Sequence, residues 1–178
     1  MRAEIYNVDY TQFVHVLGTT HFSRRSLQDA YNAVAKLRPT DLAIELDMKR
    51  YQILNDKCAT CPQSASCTRK CEFIGAVEAL ENRNTNIWLI DMSRREVRER
   101  LRLLQAESSW RVLLHERDAL MAARLAWITT SSLERGETPR VLALVGAAHV
   151  KGVKAMLNDP AVLKERLERL ELPFIRLC

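Results

Sequence analysis

The chain has 178 residues, 47% of them apolar and 28% charged, with a formal net charge of +5 and five cysteines. That length suits one domain, able to bury about two thirds of its unfolded surface. No apolar run approaches the ~20 residues of a membrane span, and "MRAEIYNVDYTQF" lacks the apolar core of a signal peptide. Secretion is disfavoured and a cytoplasmic protein is expected.

Phe13 to Leu17 is a short apolar run stopped at Gly18, and it predicts a buried strand. Ser23 suits an N-cap, with Leu27, Tyr31, Val34 and Leu37 at helical spacing behind it. "RPT" breaks that helix before a second strand, Asp41 to Leu46, and Asp47 caps a short helix to about Leu54. A cysteine-bearing loop precedes a helix over Phe73 to Arg83 and a third strand, Asn86 to Ile90, ended by Asp91. Two helices follow, an arginine-rich one and a longer one from about Ser109 to Ser132, then the loop "ERGETP". Arg140 to Val145 is a fourth strand, leading through Gly146 into a helix to Leu157. Pro160 opens a last helix, and "PFIRL" reads as a closing strand. Strands alternating with helices predict one α/β domain, residues 1–178, with a mainly parallel central sheet flanked by helices. Strand order is not readable.

In "SRREVRERLRLL", Arg94, Arg98 and Arg102 share one helical face. Glu96 and Glu99 are interleaved and no aromatic residue alternates with the arginines, so a solvated face is a simpler reading than a nucleic-acid footprint. An arginine stripe facing an anionic substrate stays open.

Two phrases echo each other. "HVLGTTHFS" (His15 to Ser23) and "LVGAAHVK" (Leu144 to Lys151) each run from an apolar strand through Gly and two small residues to His and a helix. In an open α/β sheet, ligands bind at the carboxyl ends of the strands. Parallel strands would bring His21 and His149 to that edge, with glycine easing the turn before each. Two imidazoles and a carboxylate suffice for a divalent metal with open positions for water. Glu45, ending the second strand, is the carboxylate candidate. On an edge strand it would merely face water; on a central strand it needs a metal or a cation such as Arg50. Within "HERDALMAARL", spacing alone reads Glu116, Arg117 and Asp118 as a solvated stripe, and His15 and His115 as structural.

"VLGTTHFS", "LAIELDMKRYQIL", "GAVEALENRNTNIWLIDMSRREVRERL", "LLHERDALMAARL" and "LALVGAAHVKGV" resemble, in order, the blocks of the TraB/PrgY family, from about His15 to Leu157. That family is similar to the Tiki proteases, the ChaN-like proteins and the erythromycin esterases, marked by two GxxH motifs and a glutamate. The resemblance implies an α/β fold with a metal site, and carries over to His21, Glu45, Arg50, Arg117, Asp118 and His149. Pheromone-shutdown members hold to membranes through hydrophobic C-terminal segments that this chain lacks, so their surface role does not carry over.

"CATCPQSASCTRKC" places Cys58, Cys61, Cys67 and Cys71 as CxxC-x5-CxxxC in one loop, residues 58–71. In a reducing compartment such clustering favours metal over disulfides. Four thiolates close a tetrahedral zinc site or hold an iron–sulfur cluster such as [4Fe–4S].

The first reading is therefore a metal-dependent, peptidase-like hydrolase acting on a peptide or small ester. His21 and His149 hold Mn, Co or Zn, with Glu45 as third ligand or general base. Arg117 steadies the oxyanion, and Asp118 or Glu116 fixes the arginine. Both histidines must be neutral, so activity should decline below about pH 6.5. The alternative is a non-catalytic ligand-binding or regulatory module with a metal- or redox-sensing cysteine loop. Nucleic-acid binding is the weakest reading; a homodimer is left open.

Overall fold

Four strands, β1 (Val14–Thr19), β2 (Asp41–Ile44), β3 (Asn86–Leu89) and β4 (Val141–Gly146), pair in parallel in the order β1-β4-β2-β3. They belong to a computed structural model that describes residues 8–59, 71–80, 84–104 and 109–169. Parallel neighbours need crossovers. α1 (Arg24–Leu37) joins β1 to β2, and α2 (Met48–Ala59) and α3 (Glu72–Glu78) lie between β2 and β3. α4 (Arg94–Leu103) and α5 (Arg117–Glu134) lie between β3 and β4; α6 (Ala147–Asn158) and α7 (Pro160–Arg169) follow β4. The chain is α/β, as its alternating pattern predicts.

The local signals work as the side chains dictate. The Ser23 hydroxyl accepts from the Ser26 amide at the start of α1. Arg38, in the left-handed region at φ 47°, ends that helix, and Pro39 follows it. Asp47 caps α2 through the Arg50 amide, 3.1 Å away. Ser93 and Glu96 form a reciprocal capping box on α4.

Alternation along the two central strands splits the core into two layers. Leu42, Ile44, Leu142 and Leu144 pack with Ala30 and Val34 of α1 and Phe73 and Ile74 of α3. Ala43, Val141, Ala143 and Val145 pack on the other face with Met121 and Leu125 of α5 and Val153 and Met156 of α6. Every residue of β2 and β4 is buried. This settles Glu45: β2 is central, both its faces are covered, and the carboxylate is only 4% exposed.

Two details differ from the sequence expectation. α3 stops at Glu78, capped by Ala79, short of the helix expected to reach Arg83. The long helix begins with a π-helical turn, Arg111–Glu116, and runs on to Glu134. Residues 173–177, expected as a closing strand, lie outside the described residues, as does most of the cysteine loop. No helix among the described residues is long and apolar enough to cross a membrane.

Candidate functional site

Because all four strands are parallel, their carboxyl ends share one edge, and each delivers polar side chains there. β1 leads to His21, β2 to Glu45 and Asp47, β3 to Asp91, and β4 to Gly146 and the first turn of α6 with His149.

Both histidines are held the same way. His21 Nδ1 lies 2.7 Å from Glu72 Oε1, and His149 Nδ1 lies 2.5 Å from Asp118 Oδ1. A carboxylate accepts only, so each pair fixes the ring proton on Nδ1 when the imidazole is neutral and leaves Nε2 with its lone pair. Glu72 is fully buried at the start of α3 and also accepts from the Phe22 amide (3.1 Å) and the Thr19 hydroxyl (3.2 Å). Phe22 sits in the left-handed region at φ 58°, a conformation costly for a bulky residue. Its amide bond to Glu72 helps hold that turn, and with it His21. The Glu72 bond raises the His21 pKa above the ordinary 6.5, against the effect of partial burial. Burial pushes the Glu72 carboxyl up, but the bond from His21 and backbone N–H groups outweigh it and the net shift is downward.

Glu45 stands beside His149. Its Oε2 accepts from the Gly146 amide, and its Oε1 accepts from Arg117 Nη2 at 2.5 Å and lies 3.4 Å from His149 Nε2. Arg117 then bridges to Asp91, Nε to Oδ1 at 2.8 Å and Nη2 to Oδ2 at 2.7 Å, and gives Nη1 to the Leu113 carbonyl. Arg50 also donates to Asp91 Oδ2 and pairs with Asp47 at 2.6 Å. Burial raises the Asp91 pKa, but the two guanidinium groups overcome it and hold the carboxyl below its ordinary 3.8. The strand ends are thus tied in series: Glu45, Arg117, Asp91, Arg50, Asp47.

Gly146 is where the side chains meet. A Cβ there would lie 3.2 Å from Glu45 Oε2, 3.7 Å from His21 Nε2 and 3.8 Å from His149 Cδ2. Its φ of −57° is open to any residue, so glycine is needed for space and not for the turn. Gly152, half-buried in α6, acts alike: a Cβ on it would stand 2.0 Å from Asp118 Oδ2. It gives Asp118 room to reach His149.

Two imidazole Nε2 atoms whose Nδ1 partners are carboxylates, and a third carboxylate, are donor types that a divalent metal takes. As they stand, no group of three or more His, Cys, Asp or Glu among the described residues is placed to hold an ion.

Of the residues singled out in the sequence, Glu45, Arg50, Arg117, Asp118 and His149 belong to this network, and His21, held by Glu72, lies beside it near Gly146. Two partnerships differ from expectation. Arg117 is held by Asp91, while Asp118 serves His149; adjacent helical residues point about 100° apart and reach different partners. Glu116 turns away to Arg100, at 2.8 and 3.0 Å. Arg50 pairs with Asp47 and Asp91, and the cation beside Glu45 is Arg117. Glu72 and Asp91 were missed. Asp91 ends a strand as Glu45 does, and the same edge argument finds it. Glu72 carries only a faint signal, an acid opening the apolar run "FIGAV". His15 and His115 are exposed and outside the network.

Of the cysteine loop, Cys58 and Cys71 are described, both as free thiols, and Cys61 and Cys67 lie outside the described residues. Burial pushes the Cys71 thiol up to about 11, with the Glu72 and Cys58 charges adding to it. Cys71 is the residue before Glu72, so the loop ends where the His21 support begins.

Compared with protein-family models, with curated proteins and with solved structures, the chain matches none.

Proposed function

We propose that the chain is a metal-dependent hydrolase of peptide or ester bonds, with its centre at His21, Glu45 and His149. The observation that carries this is the apposition of His149 Nε2 and Glu45 Oε1 at 3.4 Å, with Asp118 already on Nδ1. A neutral ring then turns a lone pair toward a carboxylate, an arrangement that calls for a cation or a proton between them. The carboxylate behind each imidazole and the small residue at position 146 support the same reading, as does the resemblance to the two-GxxH family.

A bound Mn, Co or Zn ion would lower the pKa of its water and polarise a carbonyl. His21 and His149 would hold it through Nε2, with Glu45 as third ligand or as the base that takes a proton from water. His21 would turn inward to join, since its side chain is 51% exposed. The chain's own residues do the rest. Glu72 and Asp118 orient the rings, and the Gly146 amide fixes Glu45. Arg117, most of its donors engaged by Asp91, Glu45 and Leu113, positions Glu45. The four loop cysteines are a second metal site in this proposal, for zinc or [4Fe–4S].

The experiment is metal titration of full-length protein with Mn²⁺, Co²⁺ and Zn²⁺, beside hydrolysis of a fluorogenic ester and peptide. His21→Ala and His149→Ala should each abolish one site and the hydrolysis, while Cys58→Ser with Cys71→Ser should spare both. Unchanged metal content in the histidine variants overturns the proposal. It would favour the second reading, a non-catalytic ligand-binding module, which draws on the lack of a three-donor group among the described residues.

A further inference from the structure

Beside the network lies a cleft of about 800 Å³, walled by α2, α4 and the π-helical turn, whose inner end is Arg50, Asp91 and Arg117. Its lining carries six cations against two carboxylates, Asp47 and Asp91. Those two acids are already committed to Arg50 and Arg117. On α4, Glu99 pairs with Arg95 at 2.9 Å, and Glu96 is taken up by the Ser93 amide in the capping box. Lys49, Arg94 and Arg98 line the same cleft and have no carboxylate partner among the described residues. Arg94 and Arg98 are one turn apart, and the bond from Arg98 Nε to the Arg94 carbonyl (3.2 Å) helps fix the pair. The interleaved acids, read in the sequence as part of a solvated face, are therefore engaged by Arg95 and the Ser93 amide, and Arg94 and Arg98 present net positive charge to a concave surface.

Apolar groups share that surface. Ile53 and Leu113 are 42% and 40% exposed, with Val97 between the arginines. Among the described residues, the lining holds no aromatic ring on which a base would stack. Cations alternating with aliphatic side chains, in a groove ending at the network, match a peptide that carries carboxylates among apolar residues. We infer that this cleft is the substrate-binding groove for an acidic peptide, with Lys49, Arg94 and Arg98 taking its carboxylates. The inference rests on the hydrolase reading for the cleavage that follows, but binding can be measured without turnover.

The test is fluorescence anisotropy of full-length protein with a labelled hexapeptide, Ala-Leu-Glu-Glu-Leu-Ala, and its Gln-Gln counterpart, each with a free and an amidated C-terminus. The Glu peptide should bind about tenfold or more tightly than the Gln peptide at low salt, and salt should erode the difference. Arg94→Gln with Arg98→Gln, both exposed and outside packed contacts, should erase it. Arg102→Gln, a single charge loss one turn further and off the cleft lining, should change affinity less than about twofold. A Glu preference kept after amidation assigns the side-chain carboxylates and supports the groove; an equal loss of affinity by the Glu and Gln peptides on amidation, with no preference between them, assigns the terminal carboxylate and overturns it. Equal binding of all four peptides overturns it. So does displacement by inorganic phosphate or a single-stranded oligonucleotide at lower concentration than by unlabelled Glu peptide. Charge-dependent binding without cleavage supports the groove while removing the hydrolase reading, so the two fail separately.

Discussion

Asp118 and His149, on neighbouring helices, meet with Oδ1 2.5 Å from Nδ1, and both are at least 95% buried. The contact decides which nitrogen of His149 faces Glu45, and so what the strand edge can bind. Asp118→Asn keeps the volume but replaces the acceptor-only carboxylate with an amide that can also donate. Metal affinity at the histidine site and hydrolysis should each fall about 10- to 100-fold, the usual cost of losing the partner behind a ligating histidine. Isothermal titration and initial rates check it. Unchanged affinity would make Asp118 a stabilising residue only.

Gly152→Ala reaches the same pair indirectly. In an exposed helix interior the change would stabilise by about 0.5–1 kcal/mol. Here the new Cβ would meet Asp118 Oδ2 at 2.0 Å and Cγ at 2.7 Å, so the carboxylate must move. The expected outcome is a loss of hydrolysis comparable to that of Asp118→Asn, with helix content intact by circular dichroism. A more stable and fully active variant would show that Asp118 has another way to reach His149.

These partnerships mark where sequence reasoning ends. Local spacing gave the four parallel strands and the helices between them, because each is a pattern of neighbours within one turn or one pleat. It also placed His21, Glu45 and His149 at one edge, because the carboxyl ends of parallel strands gather there. The partners were another matter: Asp118 is 31 positions from His149, Glu72 51 from His21, and Arg117 72 from Glu45. Only packing brings them together. The strand order β1-β4-β2-β3 was equally invisible, and it alone makes β2 central and Glu45 a buried charge.

The His21–Glu72 pair sets a pH dependence that differs from an isolated imidazole's. Bonding to Glu72 raises the folded-state pKa of His21 above 6.5. Its stabilising contribution is therefore complete below pH 6.5 and is lost as pH rises through the raised value. A metal needs the neutral ring, so on acidification the site should begin to fail above pH 6.5, earlier than an unperturbed histidine predicts. Glu72→Gln should move the His21 titration back toward the ordinary value and extend metal binding to lower pH. NMR titration of the His21 ring in both proteins, without added metal, reads this directly. A wild-type His21 titrating at or below 6.5 would contradict it.

Asp91 carries the electrostatic load of the network, and its removal tests whether that network holds the strand ends together. Its Oδ2 accepts from Arg117 at 2.7 Å and also from Arg50, and Arg124 bonds its backbone carbonyl at 2.7 Å. Asp91→Asn leaves two largely buried guanidinium groups short of a counter-charge, which should cost about 3 kcal/mol or more at neutral pH. The sign with pH follows from the lowered pKa. The folded protein keeps Asp91 ionised where the unfolded chain begins to protonate it, so its contribution is full well above pH 3.8 and drains as pH falls through the lower folded value. Urea denaturation of wild type and variant should therefore show a wide gap in stability at pH 7 that narrows steadily below about pH 4. A gap that stays constant down to pH 3 would assign the loss to packing around residue 91, and would leave Arg117 with no electrostatic hold on Glu45 through Asp91.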